Sequence, residues 1–590
     1  MAEFSKLVIT NKGQALLAKM IAGEGSVEFT KVSASSTAYT DAQLEGLTSL
    51  SNVKQTSLIS KITRTNGVAI KVEAAFTNTE LTAGYYMKAL GLYAVDPDDG
   101  EILYAVTRET SGNCYMPAYN GITVSGAYVQ LVTTVGNAEN VSLEVDQAAV
   151  ATIGDIQDLQ KQIADLEAFI GYSDEDIFGV EVDFVNKKFT RLSGAVNRTP
   201  GAAFDSINAF GGRKRCNVAD DGTVTAYYGD SGYTTTGKNA AGTPVQVMVE
   251  QPKFYYKVVP MVLEKGVKGM KIRKARYYVS DTLKPGFKVH PAFVENGNVN
   301  PYIYLAAFEG SLFDTSANAY ILDNAQVADF AADKLSSIAG TKPAGGDTQN
   351  LTRANVRLLA QKRGKGWEQA YAATAAASQL LMLIEYASFN MQTAIGRGNT
   401  DQTSSAANIQ YTGATVSLGN ASGAVTNAND IQLISYRGEE NFWGNIWTWV
   451  DGMNEENPEP FESGQAGTLH VADHAFADNS KASPYKNTGI HPIQGSGYVS
   501  AFGYSEEFDW LFIAVEYSGN DALPVGDYAW NNNSGWWVAG LGGCCNYGSA
   551  AGAFCWYLNS AASHRLWDVG GRLVYVPSKK AAAAQTMMFR

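Results

Sequence analysis

Five apolar residues recur with steps of three and four along residues 153–170 and divide the chain into two unlike parts. They are Ile156, Leu159, Ile163, Leu166 and Ile170, with polar residues between them. This spacing is that of the a and d positions of a coiled coil. Only about two heptads are present, so a single amphipathic helix on a domain surface is the alternative. We predict a short coiled-coil linker over residues 151–172, with Gly171 ending the helix.

Residues 1–150 have the pattern of a small mixed domain. A helix is predicted to open at Lys12 and Gly13, and its apolar face is formed by Leu16, Leu17, Met20 and Ile21. Alternating runs at residues 27–32, 69–76 and 129–135 predict strands. The segment DPDDG, Asp96–Gly100, separates two further apolar runs and predicts a hairpin turn.

From about residue 178 the chain is rich in strands and loops. Val180–Leu192 and Pro252–Pro260 alternate, and one helix is predicted from about Glu368 to Asn390, with an apolar stripe that includes Leu380 and Leu383. Residues 393–432 form a polar connection, and residues 578–590 form a loose tail. The fold class predicted is therefore α+β multidomain, with one large unit over residues 178–577.

The net charge and composition of the chain limit the kinds of partner that it can bind. The 590 residues carry a formal net charge of −13, which disfavours nucleic acid and anionic membrane surfaces as partners. No apolar segment is long enough to insert into a bilayer, and the first residues lack the pattern of a secretory signal. We expect no nucleic-acid binding and no membrane insertion, and we expect the chain to be made in a cytoplasm.

Neither a cofactor nor a metal is expected. The five cysteines are odd in number and form no C-x-x-C pair, which disfavours a disulfide framework or a zinc site. His470 and His474 lie four apart, but their neighbours indicate a loop. Asp451 and the asparagines at 531–533 make no convincing calcium set. We interpret Glu385, Glu439 and Glu440 as structural carboxylates, because nothing marks them as a catalytic pair.

Two N-terminal segments resemble phage tail-collar fibre proteins. They are FSKLVITNKGQALLAKMIAGEGSVEFTKVSAS, Phe4–Ser35, and GYYMKALGLYAVDPDDGEILYAVT, Gly84–Thr107. The resemblance covers nearly all of residues 1–150. It implies that this part attaches to a phage tail baseplate, and hence that the protein is located in the virion, in a tail fibre or tip. Fibres of this family are usually homotrimers, whereas isoleucine at a with leucine at d favours two strands. We follow the family and expect a homotrimer.

Five segments in the C-terminal part resemble, in their order, the fold of formylglycine-generating enzymes, which is a variant of the C-type lectin fold. They are Gly364–Ala370, Leu383–Ser388, Phe442–Gly452, Gly526–Gly535 and Val569–Pro577. The oxidases of that family hold copper with two cysteines separated by four residues. Here nine residues separate Cys545 from Cys555, so the copper pattern is absent and no enzymatic activity is expected. The Trp443, Trp447 and Trp449 side chains should be buried, with Trp530 packed nearby.

The window from Trp530 to Gly571 resembles the variable region of retroelement-diversified proteins of bacteria and phages, of the major tropism determinant type. In that family, randomised adenines turn AAY asparagine codons into any NNY codon, a set without Lys, Glu, Gln, Met or Trp. The window contains no Lys, Glu, Gln or Met, although Trp536, Trp537 and Trp567 need another origin. The alternative is a core segment rich in Gly, Ala and aromatic residues, which should show a clean period; this window shows none.

The resemblance implies that exposed side chains of the window contact a ligand while the fold holds the backbone. The candidate contact residues are Trp536, Trp537, Val538, Cys544, Cys545, Asn546, Tyr547, Ser549, Cys555, Tyr557, His564, Arg565, Leu566 and Asp568. Phe554, Trp556, Leu558, Gly570, Gly571 and Leu573 are the expected scaffold. The expected function is adsorption of a phage to a bacterial cell-surface protein or glycan. A glycan-degrading tailspike and a purely structural baseplate protein are the alternatives.

Overall fold

Antiparallel β-sheet dominates the computed structural model. The structure describes residues 4–23, 27–64, 69–112, 114–119, 126–134, 162–163, 166–167, 171–323, 328–460 and 462–577. They form two compact units, Met1–Ile163 and Ala164–Arg590. Helices are few and mostly short in the described parts. The regular structure of the described residues is thus mostly β-sheet. The larger helical content that the predicted α+β class implies is not confirmed.

The first unit is built on a seven-stranded antiparallel sheet. In spatial order its strands are Val8–Ile9, Gly100–Arg108, Ala89–Asp96, Glu28–Ser35, Val53–Arg64, Ala69–Thr77 and Gly126–Thr134. The helix Asn11–Ile21 packs Leu16 and Met20 into the core. Thr10 caps this helix by accepting a hydrogen bond from the Gly13 backbone N–H at 3.0 Å. Ile21, predicted on the apolar face, is 67% exposed in the last turn.

The predicted hairpin at Asp96–Gly100 is confirmed. It joins the strands Ala89–Asp96 and Gly100–Arg108, which pair antiparallel. The Asp96 carboxylate accepts hydrogen bonds from the Asp98 and Asp99 backbone N–H groups at 2.9 and 3.1 Å. Gly100 has φ of 71°, a conformation that glycine adopts without a steric cost. Turn chemistry therefore sets the register here, as the sequence indicates.

The second unit contains three large sheets. The first has the strands Lys188–Ser193, Ile177–Asp183, Met270–Ser280, Tyr255–Lys265 and Lys288–Val289, with Ala501–Tyr504 and Ala514–Glu516 attached. The second has Val224–Tyr227, Lys214–Ala219, Val245–Pro252, Tyr302–Ala306, Leu573–Tyr575 and Trp367–Gln369. The third has Lys486–Asn487, Thr468–Val471, Trp447–Asn457, Gly535–Leu541, Trp556–Ser560, Tyr528–Asn531 and Gly495–Tyr498, with Val569–Gly570 beside Trp447–Asn457. The alternating segment Val180–Leu192 is thus a hairpin of two strands rather than a single strand.

One long helix, Ala372–Tyr386, lies in the largest core of the second unit, and all its residues except Tyr386 are buried. The prediction of a start near Glu368 was wrong, because Trp367–Gln369 pairs as a strand with Leu573–Tyr575. Thr374 accepts the Tyr371 backbone N–H at 3.0 Å and fixes the helix start. Ala387 follows in the left-handed region with φ of 49°, which ends the helix before Asn390.

The remaining elements are short. The other α-helices in the described parts are Asp41–Leu44, Asn208–Gly211, Gly346–Gln349, Arg353–Gln361 and Met391–Ala394. The small sheets pair Tyr85–Tyr86 with Tyr115–Met116, Val294–Glu295 with Asn298–Val299, Ser311–Asp314 with Ala319–Ile321 and Lys334–Ser336, and Gln432–Tyr436 with Gly423–Thr426 and Glu439–Glu440. None of the helices in the described parts has the length and apolar character needed to cross a membrane.

Two predicted segments fall largely or wholly outside the described residues. Of the linker 151–172, the structure describes residues 162–163 and 166–167, which are helical, and Gly171 and Tyr172. The coiled coil therefore stays a prediction. The tail, residues 578–590, lies outside the described part of the chain.

The buried His290 imidazole makes the stability of the second unit depend on pH. It is fully buried among the rings of Phe254, Tyr256 and Trp510, 5.1, 5.2 and 6.2 Å away. Burial, with a smaller contribution from Lys288, lowers the pKa of His290 from its ordinary 6.5 to about 3. The unfolded chain therefore binds a proton that the folded chain excludes between these pH values.

We predict that His290 contributes full stability above pH 6.5 and that stability falls as pH drops from 6.5 towards 3. The loss from this group is roughly 2 kcal/mol by pH 5. The variant His290→Asn keeps an acceptor for the Ala292 backbone N–H, which donates to His290 Nδ1 at 3.2 Å. Denaturant unfolding between pH 4 and 7 should show a shallower pH dependence for this variant. Parallel curves for the two proteins would contradict the prediction.

Candidate functional site

The predicted variable window lies mostly on the eight-stranded sheet. It supplies the strands Gly535–Leu541, Trp556–Ser560 and Val569–Gly570 and the second half of Tyr528–Asn531. Gly535–Leu541 pairs antiparallel with the strand Trp447–Asn457, which lies outside the window. Backbone pairing, with register shifts between Val450 and Asn454 and between Val538 and Gly540, therefore holds the strands of the window whatever side chains they carry.

Six aromatic side chains pack together on this sheet. We call five of them, Tyr498, Tyr528, Trp530, Tyr547 and Tyr557, the aromatic face, since all five are partly exposed and Trp447 lies buried against them. Trp447 is 5.8 Å from Trp530, 5.1 Å from Tyr547 and 5.2 Å from Tyr557, measured between ring centroids. Most of these rings meet edge to face or tilted, which are the geometries that aromatic pairs prefer.

Burial of the tryptophan cluster is confirmed. Trp443, Trp447 and Trp449 are 1%, 6% and 1% exposed. The Trp449 indole N–H donates to the Leu351 carbonyl at 3.1 Å, and that of Trp443 donates to the Arg397 carbonyl at 3.2 Å. Trp530 packs on Trp447 as expected, but its own side chain stays partly exposed.

The fourteen predicted contact residues separate into accessible and buried sets. Nine are partly or fully exposed: Trp536, Trp537, Asn546, Tyr547, Ser549, Tyr557, His564, Arg565 and Leu566. Five are buried: Val538, Cys544, Cys545, Cys555 and Asp568. The expectation of an exposed side chain is wrong for these five.

Packing and hydrogen bonding explain the buried set. Val538, Cys544 and Cys555 belong to the core that contains Trp447 and Trp449. The Cys544 thiol donates to Asp568 Oδ2 at 3.2 Å and contacts Asn546 Oδ1 at 3.0 Å. A hydrogen bond with Cys545 and burial both raise the pKa of Cys544, and burial raises that of Cys555. Protonated thiols of this kind behave as small apolar side chains, so the irregular order of residues did not mean exposure.

Seven of the nine accessible residues lie in three places. Tyr547 and Tyr557 belong to the aromatic face, and Ser549 lies beside it, with its hydroxyl 2.8 Å from the Tyr498 hydroxyl. Trp536 packs beside His470 at 5.9 Å, with Lys481 Nζ 5.8 Å from its ring centroid.

The third place is the loop of residues 561–568, which carries His564, Arg565 and Leu566. Its backbone is anchored by the Gly346 N–H, which donates to the Leu566 carbonyl at 2.6 Å. His564 meets Trp449 edge to face at 6.0 Å. Burial lowers the pKa of His564. The loop therefore presents exposed Arg565 and Leu566 from a fixed base.

The expected scaffold is buried. Phe554, Trp556 and Leu558 are at most 3% exposed, as is Leu573. Gly570 and Gly571 are buried as well, and a Cβ at Gly571 would lie 2.3 Å from a Val356 methyl group. This point of the chain has room only for glycine.

Trp530 was expected only to pack beside the buried tryptophans, and two other residues of the aromatic face, Tyr498 and Tyr528, were not predicted. They are direct partners on the strands Gly495–Tyr498 and Tyr528–Asn531, and their rings are 5.2 Å apart. The alternation of Tyr528 and Trp530 in GDYAWNNN places both on one face of a strand and was a usable signal for Tyr528. Nothing local marks Tyr498, since thirty positions separate it from its partner in the sequence.

The carboxylates considered for catalysis are buried and paired. Glu385 binds Arg437 at 2.7 Å, Glu439 binds Arg213 and the Ser378 hydroxyl, and Glu440 accepts the Gly413 and Thr415 backbone N–H groups at 2.7 Å. Their structural role is thereby explained. In the described parts of the chain, no three His, Cys, Asp or Glu side chains cluster as metal ligands would.

An open sheet with clustered, partly exposed aromatic side chains and a neighbouring anchored loop is the arrangement of a binding protein. The family model described as phage tail-collar fibre protein, N-terminal, matches residues 1–154. The match covers 154 of the 590 residues and agrees with the resemblance to tail-collar fibre proteins in the N-terminal sequence.

The chain is also similar to solved structures. A solved structure titled Major Tropism Determinant U1 Variant is 13% identical to this chain, covering 62% of this chain and 72% of its own, with a TM-score of 0.21. No curated protein matches the sequence.

Proposed function

We propose that this protein adsorbs a phage to its bacterial host by binding a cell-surface ligand through the aromatic face and the accessible window residues. The observation that carries the proposal is that these side chains reach solvent from one sheet, its turns and an anchored loop, in a chain whose first 154 residues match the model of a tail-collar fibre family. Residues 1–150 would attach to the baseplate. Residues 178–577 would form one elaborated C-type-lectin-like unit, made with the rest of the chain in the host cytoplasm.

The proposed contact set is the nine accessible window residues. Their side chains reach solvent while the strands Gly535–Leu541 and Trp556–Ser560 stay paired. Substitution at such positions disturbs the core least, whereas a larger side chain at Val538 or Cys555 would overfill the core and a smaller one would leave a cavity. A diversity-generating mechanism that acts on the exposed set could thus change specificity without unfolding the protein.

Two rival functions have less support. A glycan-degrading tailspike needs a pair of accessible carboxyl groups, and Glu385, Glu439 and Glu440 are instead buried in structural contacts. A purely structural baseplate protein has no need of a partly exposed aromatic cluster, which commonly marks an interaction site. We therefore propose a non-catalytic binding protein.

We further propose a homotrimer, because several copies of a weak site bind a surface tightly together. In the linker, Ile163 and Leu166 are 53% and 57% exposed in the single chain, and a coiled coil would cover them. Light scattering of the purified chain should give three times the 63.2 kDa of one chain. A mass of one chain would contradict this prediction, and a mass of two would indicate the dimeric coil.

The contact set can be separated from the core by paired measurements of adsorption and melting temperature. Trp536→Ala and Arg565→Ala should each cost about 2 kcal/mol or more of binding, as expected for an aromatic or arginine anchor, with little change in melting temperature. Trp447→Ala should instead lower stability by about 3–5 kcal/mol. If Trp536→Ala and Arg565→Ala destabilise the fold as much as Trp447→Ala, the window is core and the proposal fails.

The diversification mechanism makes a separate prediction about the genome. A near-identical template repeat should lie close to the gene. It should differ from the segment that encodes Trp536–Asp568 almost only at adenines. Sequencing the region around the gene tests this directly. The absence of a repeat, or differences spread evenly over the four bases, would leave an ordinary tail fibre with a fixed specificity.

A further inference from the structure

Part of the aromatic face lies outside the window and would stay constant while the window varies. Tyr498 is outside the window on the strand Gly495–Tyr498, and Tyr528 precedes the window on the neighbouring strand. Their rings meet edge to face at 5.2 Å, and Tyr528 meets Trp530 at 4.5 Å with a 40° tilt. The three rings therefore form one continuous strip along the sheet. Any ligand assigned to this strip rests on the proposed function, in which the aromatic face contacts the host.

The rings leave no slot between them. Trp530 is also in contact with Tyr547 at 5.2 Å and with Tyr557 at 5.8 Å, and Trp447 fills the space beneath. A quaternary ammonium group needs rings that surround it, and the anchor side chains of protein partners typically fill pockets. Because Tyr498 and Tyr528 meet at 79° and Tyr528 and Trp530 at 40°, a ligand with a small flat apolar surface can stack on one ring of the strip and touch its neighbours.

Two neutral hydroxyl groups, those of Ser496 and Ser549, lie beside the strip. The Tyr528 hydroxyl is 3.3 Å from the Ser496 hydroxyl, and the Tyr498 hydroxyl is 2.8 Å from that of Ser549. None of the five rings or the two serines carries a charge at neutral pH. Hydroxyl groups both donate and accept hydrogen bonds, so this rim can exchange hydrogen bonds with a neutral ligand that carries many hydroxyls of its own.

We propose that Tyr498, Tyr528 and Trp530, which all lie outside the segment Trp536–Asp568 that is expected to vary, form a constant subsite that stacks against the apolar face of a neutral sugar ring in a bacterial surface polysaccharide. One face of such a ring presents polarised C–H groups, and the negative face of an aromatic ring attracts them. The hydroxyl groups of the sugar point outward, towards Ser496 and Ser549. The constant subsite holds a sugar common to many hosts, and the window residues discriminate between the polysaccharides that contain it.

Treatment of host cells separates a glycan from a protein receptor. The purified full chain is tested for binding to a panel of bacterial strains, and an adsorbing strain is then treated with periodate, which cleaves vicinal diols, or with protease. Periodate should abolish binding and protease should leave it unchanged. The reverse result identifies a protein receptor and overturns this inference, while the proposed function stands. Binding to no strain of the panel would contradict the proposed function itself.

Substitution of Tyr528 tests the subsite. Tyr528→Ala should weaken binding of polysaccharide extracted from the adsorbing strain about tenfold or more, as for an aromatic anchor. Tyr528→Phe keeps the ring and should bind within about twofold of the native chain. The control is Tyr228→Ala, because Tyr228, in the turn after the strand Val224–Tyr227, meets Tyr233 at 5.5 Å and 80°, close to the 79° between Tyr498 and Tyr528.

Melting temperatures and tryptophan fluorescence complete the test. The polysaccharide should change the fluorescence of the native chain, and this change should be lost in Trp530→Phe. That measurement stands even where Tyr528→Ala fails to fold. Native affinity in a folded Tyr528→Ala, or equal losses in Tyr528→Phe and Tyr528→Ala, would overturn the stacking subsite.

Discussion

The contact of the Trp447 indole with three aromatic rings is the interaction on which the candidate site depends. Its partners come from separate parts of the chain: Trp530 and Tyr557 from two strands, and Tyr547 from the turn between strands. The backbone of Trp447 pairs with Val569, near the end of the window. One buried residue thus fixes both the rings that a ligand would meet and the point at which the loop of residues 561–568 returns to the sheet.

This arrangement separates what the fold requires from what a binding surface can vary. Side chains under the sheet, such as Trp556 and Leu558, alternate with Tyr557 and Asn559, which are partly exposed. Strand geometry alone therefore assigns alternate positions to core and surface. The loop of residues 561–568 also combines a fixed backbone with an exposed side chain. The Gly346 N–H donates to the Leu566 carbonyl, while the Leu566 side chain is 41% exposed.

The sequence predicted those parts of the structure that local chemistry controls. The hairpin at Asp96–Gly100 and the helix beginning near Lys12 follow from turn residues and apolar spacing. The burial of Trp443, Trp447 and Trp449 follows from their size and clustering. Local patterns failed where pairing with distant strands decides the outcome: Glu368 lies in a strand because Leu573–Tyr575 lies beside it. Likewise, Val538, Cys544 and Cys555 are buried by contacts that sequence order does not reveal.

The omission of Tyr498 shows why the site could be predicted only in part. The resemblance to retroelement-diversified proteins identifies the residues that are expected to vary. It gives no information about constant residues beside them. Tyr498 joins the aromatic face only because the sheet places its strand next to Tyr528–Asn531. In the proposed function such a surface has two sources of affinity: the strip of Tyr498, Tyr528 and Trp530, and the accessible residues of the window. Only Trp530 of the strip packs directly on Trp447, beside Tyr547 and Tyr557 of the window. Under that proposal a change in the window alters specificity while the strip preserves a basal affinity.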